Sequence, residues 1–470
     1  MNESELGRQL TSGNVWWREP GEWQRDDRDL AALDGSPLDY DPDPLAGVAP
    51  PNLYVLRGPR RVGKSVQLKR VVARLLEDGI ESRRVIHCAC DGLSADDVRR
   101  LERVARAQLT RSVEGPRYWL LDEITAVRGW PETIKWLRDN TDMGKDCVVL
   151  TGSSGRDLED ARKALAGRRG QVTDSDRLLM PMNFPSFCAA LGAGLPAAPS
   201  LRPRDFLSAQ ARDAVEELLP WLDDIASLWE VYLRVGGFPR AVAGYLARGD
   251  VDLAFAQDLW DVIHGDALRR ENFSSAQSTR LLRRLARNLA SPVNMTALAE
   301  DVGVGSHSTA SRRVKDLVDG YCAWPCHRQG DGDLPNLAAQ TKVYFTDPLF
   351  ARLPNLRDEQ PAPQASQISE QQLGLALALN LAAGDSGRFA DFSDVMYARS
   401  ATGKEVDFCG RRMGLIAFEG KYTDRSLARE SQTMRAMFGS RGVLATRAQI
   451  DEVDGVRAWP AGLIALLLGR

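Results

Sequence analysis

Residues 53–65 read LYVLRGPRRVGKS, and this stretch decides the fold: an apolar strand runs directly into the pattern G-x-x-x-x-G-K-S. The glycines permit a tight turn whose backbone amides converge on phosphate oxygens, the lysine reaches the terminal phosphates, and the serine can ligate magnesium. Residues 64–76 then carry apolar side chains at helical spacing, so a helix there would direct its positive end at the phosphates. The sequence therefore predicts a nucleotide-binding loop.

The predicted loop would contact the nucleotide through consecutive residues: Gly58, Pro59, Arg60, Arg61, Val62, Gly63, Lys64, Ser65 and Val66. Lys64 is the predicted catalytic cation of the loop, and Ser65 is a predicted ligand of Mg²⁺. The expected cofactors are therefore ATP and Mg²⁺. A chance glycine turn is the alternative, but the strand before the loop and the helix after it argue against that interpretation.

A second apolar strand, residues 118–121, ends in the adjacent carboxylates Asp122 and Glu123. Beside a phosphate-binding loop, Asp122 is predicted to hold Mg²⁺ and Glu123 to polarise the water that attacks the γ-phosphate. The alternative is a strand that ends in acids before a turn.

Thr151 follows another buried strand, residues 146–150, which is expected beside the strand of Asp122. Its hydroxyl either senses the γ-phosphate or caps the following turn. Arg168 is a candidate cation for neutralising charge in the transition state, from the same chain or from a neighbouring copy. Solvated surface is the alternative for this arginine.

The composition is that of a globular protein of 470 residues, long enough for roughly two to four domains. Apolar runs stay short of the roughly 20 residues that cross a bilayer, and the first ten residues lack the apolar core of a signal peptide, so a cytoplasmic protein without a membrane partner is expected. Seven scattered cysteines predict reduced thiols. Although the net charge is -3, arginines cluster between Arg269 and Arg313, so the composition does not exclude a nucleic-acid-binding face.

Alternating strands and helices predict an α/β fold with a parallel sheet. Composition shifts and Pro-rich stretches predict the following division: an N-terminal lead-in at residues 1–51, an ATPase core at 52–188, a helical lid at 189–290, a winged helix at 291–353, a Pro/Gln-rich linker at 354–368, and a second α/β domain at 369–470.

The predicted winged helix rests on two helical segments, residues 294–303 and 306–318, that a short glycine-containing turn separates. Thr296 and Ser306 are the expected caps, and the second helix is expected to expose hydroxyl and basic side chains. The side chains expected to be exposed are those of His307, Ser308, Thr309, Ser311, Arg312, Arg313 and Lys315. Residues 321–324 and 342–345 would form the wing. The segment favours contact with nucleic acid, although a packing or protein-contact module is the alternative.

In the last domain, polar and apolar residues alternate around Asp407 and around the E-x-K pair of Glu419 and Lys421, so each segment is predicted to be a strand with its charged side chains on one face. Glu419 and Lys421 are then expected to point together. Carboxylates so placed hold a divalent metal against a scissile phosphate, and the lysine activates water or stabilises charge. The pattern predicts a second metal site, for Mg²⁺ or Mn²⁺, with Asp407, Glu419 and Lys421 as catalytic residues. Glu370, on a preceding helix, is a further predicted metal ligand. The alternatives are a surface salt bridge and a fold retained without activity.

Several motifs together resemble the prokaryotic AAA-type ATPases whose C-terminal half carries a restriction-endonuclease-like domain. They lie at residues 58–65, 120–123, 149–154, 165–168, 180–187 and 236–239. The resemblance implies a P-loop NTPase sheet with an additional strand and a catalytic glutamate, a helical lid, a winged helix, and a C-terminal PD-(D/E)xK nuclease-like α/β domain. Asn183 stands where that group more often has serine, and Val406 stands where the nuclease motif has proline.

Two functions of different class follow. The first is a Mg²⁺-dependent ATPase that acts on DNA, with RNA as the alternative, and with or without phosphodiester cleavage by the C-terminal domain. The second is an ATP-controlled switch that binds DNA or a protein partner and has an inactive nuclease-like domain. A homo-oligomer is compatible with either function, because Arg168 could act on a neighbouring copy.

Overall fold

The computed structural model describes residues 1–268, 273–358, 360–383, 392–423 and 427–469, apart from the side chains of residues 158, 159, 266 and 267. Arg269, at the start of the arginine-rich region, lies outside the described residues. The chain folds into two compact units: residues 1–180, and the described residues from 181 onward.

The first unit alternates strands with helices, as the sequence predicts. Its helices and strands are α1 (Glu3–Gly13), α2 (Trp23–Asp26), α3 (Arg28–Asp34), β1 (Leu53–Arg57), α4 (Lys64–Glu77), β2 (Val85–Ala89), α5 (Ala95–Val104), β3 (Tyr118–Asp122), α6 (Trp130–Asn140), β4 (Cys147–Gly152), α7 (Leu158–Ala164) and β5 (Asp176–Leu178).

The sheet of the first unit has the strand order β2-β3-β4-β1-β5, and all its strands are parallel. Strands β1, β3 and β4 are buried along their whole length, which accounts for their continuous apolar sequences. Strand β4 lies between β1 and β3, so the prediction that residues 146–150 lie beside the strand of Asp122 is confirmed. The carboxyl ends of β1, β3 and β4 therefore meet at one edge.

The N-terminal segment covers the edge strand β2. Asn14 donates from Nδ2 to the carbonyl of His87 (2.9 Å) and accepts from the His87 amide (2.7 Å). The indole nitrogens of Trp16 and Trp17 both donate to the carbonyl of Val85, at 3.0 and 2.9 Å. The polar groups of an edge strand need such partners, and residues 1–51 thus belong to the same compact unit as the sheet.

The second unit begins with helices and ends with a mixed α/β region. Its elements are α8 (Phe184–Ala190), α9 (Ala209–Leu218), α10 (Leu222–Val235), α11 (Pro239–Arg248), α12 (Leu253–Val262), α13 (Ser275–Arg287), β6 (Pro292–Val293), α14 (Met295–Val302), α15 (His307–Asp319), β7 (Ala323–Gln329), β8 (Pro335–Asn336), β9 (Thr341–Phe345), α16 (Pro348–Asp358), α17 (Ala365–Ala383), β10 (Met396–Arg399), β11 (Glu405–Cys409), β12 (Ala417–Gly420), α18 (Ala428–Phe438), β13 (Gly442–Thr446), β14 (Asp451–Val453), β15 (Val456–Pro460) and α19 (Ala461–Leu468).

One mixed sheet runs through this unit in the order β14-β15-β13-β12-β11-β10-β7-β9-β6, with β8 paired to β7. The linker expected at residues 354–368 differs from what the structure shows. Helix α16 continues to Asp358 and α17 begins at Ala365. Strand β7, before this segment, pairs in parallel with β10, after it. Backbone pairing thus joins the two regions that the proline-rich composition separated.

All seven cysteines are described, free and buried, in agreement with the expectation of reduced thiols. Among the described residues, no helix combines the length and the apolar character that crossing a bilayer requires.

Candidate nucleotide site and C-terminal acidic cluster

The predicted phosphate-binding loop follows the carboxyl end of β1 and leads into α4. Gly58 has φ of 154°, and a Cβ atom there would lie 1.9 Å from the carbonyl oxygen of Leu179, so only glycine fits. Gly63, with φ of 99°, precedes the first helical residue, Lys64. The local sequence thus produces the expected turn, with the amino terminus of α4 at its end.

Lys64 reaches back across this loop. Its side chain is buried, and Nζ donates to the carbonyl oxygens of Gly58 (3.1 Å) and Pro59 (2.9 Å). Burial lowers the pKa of the ammonium from its ordinary value, and the negative charges of Glu123 and Asp122 oppose that shift. The distance from Nζ to Oε1 of Glu123 is 3.7 Å. The loop lysine and the acid after β3 therefore lie in one site, as the sequence predicts.

Two hydroxyls from β4 and the loop after it hold the acidic pair. Thr151 Oγ1 donates to Oδ1 of Asp122 and accepts from the amide of Glu123 at 2.9 Å. Ser153 Oγ donates to Oε2 of Glu123 at 3.0 Å. Glu123 itself has a left-handed backbone, with φ of 51° and ψ of 38°. Such a conformation is costly for a non-glycine residue and persists where its surroundings enforce it.

The hydroxyl of Thr151 therefore bonds to the carboxylate of Asp122 and to the amide of Glu123, contacts that neither predicted role included. Ser153 was not singled out from the sequence at all. Its only signal is its position immediately after the carboxyl end of a strand that neighbours β3.

The donor set fits a nucleotide with Mg²⁺. Ser65 opens α4 and Asp122 ends β3, and a hydroxyl with a carboxylate is a typical protein contribution to a Mg²⁺ site that phosphate oxygens and water complete. The close approach of Gly58 to Leu179 and the buried ammonium of Lys64 shape a cradle for phosphate.

Arg168 lies elsewhere in the first unit. Its Nε donates to both carboxylate oxygens of Asp139, at 2.7 and 2.9 Å. The neighbouring Arg169 accepts through its carbonyl from the amide of Leu53, the first residue of β1. Arg168 is thus at the amino-terminal edge of the sheet, whereas the phosphate-binding loop follows the opposite edge. A role for Arg168 at the loop of its own chain is wrong, and a role at a neighbouring copy stays a prediction.

The C-terminal residues predicted as a nuclease site do come together. Strands β11 and β12 are antiparallel with Phe408 opposite Phe418, which places Asp407 opposite Glu419. Glu419 Oε2 accepts from the amide of Asp407 at 3.0 Å, and Lys421 Nζ lies 2.8 Å from Glu419 Oε1. The expectation that Glu419 and Lys421 point together is confirmed.

A lysine that the sequence analysis did not single out lies among these acids. Lys342 of β9 is 1% exposed, and its Nζ contacts Oδ1 of Asp407 (2.8 Å), Oε1 of Glu405 (2.9 Å) and Oε1 of Glu370 (3.1 Å). Tyr344, two residues along the same strand face, donates from its hydroxyl to Oε1 of Glu370 at 2.6 Å.

Burial dominates the electrostatics of this cluster. It raises the pKa of Glu370 and that of Glu419 to about 8, with the charge of Asp407 adding to both shifts. Burial alone would also raise the pKa of Asp407, but the charge and hydrogen bond of Lys342 outweigh it and hold that pKa below its ordinary value. Lys342 is thus the main favourable charge acting on Asp407.

The predicted second metal, at Glu370, Asp407 and Glu419, does not fit this arrangement. Within the described ranges, no group of three or more His, Cys, Asp or Glu side chains is arranged to hold a metal ion. The reason is that an ammonium already lies between the carboxylates.

The predicted helix pair is present as α14 and α15, with Leu298, Val302, Val314 and Leu317 buried. One of the two predicted helix caps differs from the structure, and the other agrees with it. Asn294, not Thr296, caps α14 by accepting from the amides of residues 296 and 297, whereas Ser306 caps α15 as expected.

Arg313 is buried, not exposed as the sequence analysis expected. Its Nη1 lies 2.7 Å from Oδ2 of Asp316, and its guanidinium packs over the ring of Phe273 at 5.3 Å. The exposed basic residues of α15 are His307, Arg312 and Lys315, and Lys315 pairs with Asp319 at 2.7 Å.

Comparison with known proteins agrees with the geometry of the first unit. Residues 50–188 match the AAA domain family, and residues 226–359 match a domain of unknown function (DUF8612). An uncharacterized protein of Haemophilus influenzae is 26% identical over 196 residues, which are 40% of this chain and 40% of that protein. The chain thus spans less than half the length of this relative.

Among solved structures, this chain is similar to a Walker-type ATPase of Pyrococcus abyssi, with 16% identity, a TM-score of 0.38, and coverage of 70% of this chain and 94% of that one. It is also similar to the Aeropyrum pernix ORC1 protein in complex with DNA, with 14% identity, a TM-score of 0.32, and coverage of 66% and 87%. Residues 50–188 are thus similar in sequence to the AAA domain family and contain the loop and acid geometry described above.

Proposed function

We propose that this protein is a Mg²⁺-dependent ATPase that hydrolyses ATP in its first unit. The observation that carries the proposal is the 3.7 Å separation between Nζ of Lys64 and Oε1 of Glu123. This proximity supports joint action of the loop lysine and a candidate base at the carboxyl edge of a parallel sheet.

Each residue has a distinct role in this proposal. The amides of residues 58–66 and the ammonium of Lys64 bind the phosphates, and Glu123 orients and polarises the attacking water. Ser65 and Asp122 would hold Mg²⁺, which neutralises charge on the phosphate oxygens. Thr151 and Ser153 fix the acidic pair in place.

Steady-state ATP hydrolysis tests the proposal. Glu123→Gln should lower kcat by at least about 100-fold and keep ATP binding, because the variant retains the loop but loses the base. Lys64→Ala should weaken ATP binding itself. The control is Glu132→Gln, an exposed glutamate of α6 that should hydrolyse ATP as the wild type does. Unchanged turnover in Glu123→Gln would contradict the assignment of the base.

We also propose that the second unit contacts nucleic acid through α15, as a winged helix would. The supporting observation is the exposed Arg312 beside the hydroxyls of Ser308 and Thr309, which lie close to the Ser306 hydroxyl at the start of the helix. Backbone amides at a helix start and exposed cations both bind phosphates. Exposed Arg280 and Arg287 of α13 add positive charge to the same unit.

Binding to a labelled DNA duplex at several salt concentrations tests this second proposal. Arg312→Ala should weaken binding and reduce its salt dependence, because one phosphate contact is lost. Arg248→Ala is the control, an exposed arginine of α11 paired with Asp252. The same assay with RNA distinguishes the two nucleic acids. Absence of binding to either at low salt would favour a protein partner instead.

A further inference from the structure

The acidic cluster of the second unit is built around one tethered cation. Lys342 is a residue of β9, a strand that pairs with β6 and β7 and is therefore fixed in the sheet. The carboxylates that surround its Nζ come from α17 (Glu370) and from β11 (Glu405 and Asp407), all within 3.1 Å.

The ammonium of Lys342 and the carboxylates around it provide hydrogen-bonding partners for one another. An ammonium has three N–H donors, and three different carboxylates lie within hydrogen-bonding distance of Lys342. The other oxygen of Asp407 accepts from the amide of Gly420 at 2.9 Å. The ring of Tyr397 lies 5.6 Å from Nζ and covers the lysine on another side. Burial of a charge is tolerated only with such compensation.

The nuclease-type site predicted from the sequence would hold a divalent metal among these same acids. In such sites, acids from two adjacent strands, with an acid from a preceding helix in some members, hold a divalent cation. Here β11, β12 and α17 supply Asp407, Glu419 and Glu370 in that arrangement, and the space between Glu370 and Asp407 contains Nζ of Lys342.

We propose that Lys342 takes the place of the divalent metal, so that the cluster is an ionic joint that fastens β9 to α17 and β11, without nuclease activity. The carboxylates balance the charge of the lysine, and removal of the lysine opens a divalent-cation site. Because the lysine is covalently attached, the effective concentration of its ammonium at the carboxylates exceeds the concentration of any free metal ion.

Titration of the full-length protein with Mn²⁺ alone, followed by the electron paramagnetic resonance of free Mn²⁺, tests the proposal. An Asp122→Asn parent is used, since it lacks the predicted metal-binding acid of the first unit. The parent should show no binding that depends on Asp407. Lys342→Ala in that background should bind one more Mn²⁺ per chain than the parent, at least tenfold more tightly than any site of the parent, and Asp407→Asn should abolish the gain.

Two further variants make the result decisive. Lys404→Ala removes an exposed lysine just before β11 and should bind as the parent does. If Lys342→Ala does not fold, Lys342→Met, which keeps most of the side-chain volume, replaces it. Binding of Mn²⁺ by the parent that Asp407→Asn removes would overturn the proposal. So would folded Lys342 variants that bind no more Mn²⁺ than the parent.

Discussion

Ser153 Oγ donates a 3.0 Å hydrogen bond to Oε2 of Glu123, and this contact joins the loop after β4 to the acid that follows β3. Nζ of Lys64 lies 3.7 Å from Oε1 of the same carboxylate. The carboxylate is thus oriented by a side chain from the loop after the neighbouring strand.

Ser153→Ala should lower kcat for ATP hydrolysis about tenfold with little change in KM, because a loosely held base loses orientation while the phosphate-binding loop is intact. Ser154→Ala is the matched control, since the Ser154 hydroxyl accepts from the amide of Arg156 at 3.2 Å. A change confined to KM would contradict a role in orienting Glu123.

Thr151→Val should reduce both stability and turnover. The valine has a similar shape but cannot bond to Asp122 or to the amide of Glu123, so we expect a loss of about 2 kcal/mol in the free energy of unfolding. The control is Thr133→Val, at an equally buried threonine that bonds to the carbonyl of Gly129 (3.0 Å). It should lose stability in urea denaturation and keep its kcat. Equal kcat in both variants would show that Thr151 is structural only.

Gly58→Ala should disrupt the phosphate-binding loop, because the added methyl group would collide with the carbonyl of Leu179. We expect ATP affinity to fall at least tenfold, measured by isothermal titration calorimetry, together with a stability loss on the order of 2 kcal/mol. Gly13→Ala, at a helix end with open space around it, should change stability by less than about 0.5 kcal/mol. Normal ATP binding by Gly58→Ala would contradict the loop geometry.

Asp347 should make the second unit less stable as the pH rises through neutrality. Its buried carboxylate accepts from the amides of Gly237 (2.7 Å) and Leu349 (2.8 Å), and burial raises its pKa from 3.8 to about 7 despite those bonds. Between pH 4 and 7 the folded state therefore retains the proton that the unfolded state loses. The contribution of this carboxyl group to the free energy of unfolding is thus full below about pH 4 and lost above about pH 7.

Urea denaturation from pH 5 to pH 8 measures that contribution, with Asp347→Asn as the variant that cannot titrate. The free energy of unfolding of the wild type, relative to that of Asp347→Asn, should fall by about 3 kcal/mol between pH 5 and pH 7, at about 1.4 kcal/mol per pH unit. A difference that is constant over this range would show that Asp347 has an ordinary pKa.

Truncation of Arg313 should lower the stability of the protein, whereas truncation of Arg312 should leave it almost unchanged. Arg313→Ala removes the cation beside the buried carboxylate of Asp316 and should cost about 3 kcal/mol of unfolding free energy. Arg312→Ala, at the exposed neighbouring position, should leave stability within about 0.5 kcal/mol of the wild type. Equal effects of the two substitutions on thermal unfolding would contradict the burial of Arg313.

The sequence by itself was sufficient for the parts of the fold that depend on local chemistry. The strand before Gly58, the helix from Lys64 and the acids after residue 121 are contiguous patterns, and their order implies a parallel sheet with those ends at one edge. A glycine-rich turn or an uninterrupted apolar strand has few conformations open to it, so its neighbours in sequence decide its structure. The juxtaposition of Asp407, Glu419 and Lys421 was also predictable, from the two-residue period of strands.

Tertiary structure alone decided which partners distant residues meet. Periodicity did not separate buried Arg313 from exposed Arg312, and spacing did not show that Arg168 lies at the far edge of the sheet. The prolines of residues 354–368 predicted a linker, yet strand pairing joins the regions on either side. Above all, Lys342 meets Glu370 and Asp407 only because three elements pack together. The energy of a buried charge depends on everything around it, and that environment is assembled from parts of the chain that the sequence does not place side by side.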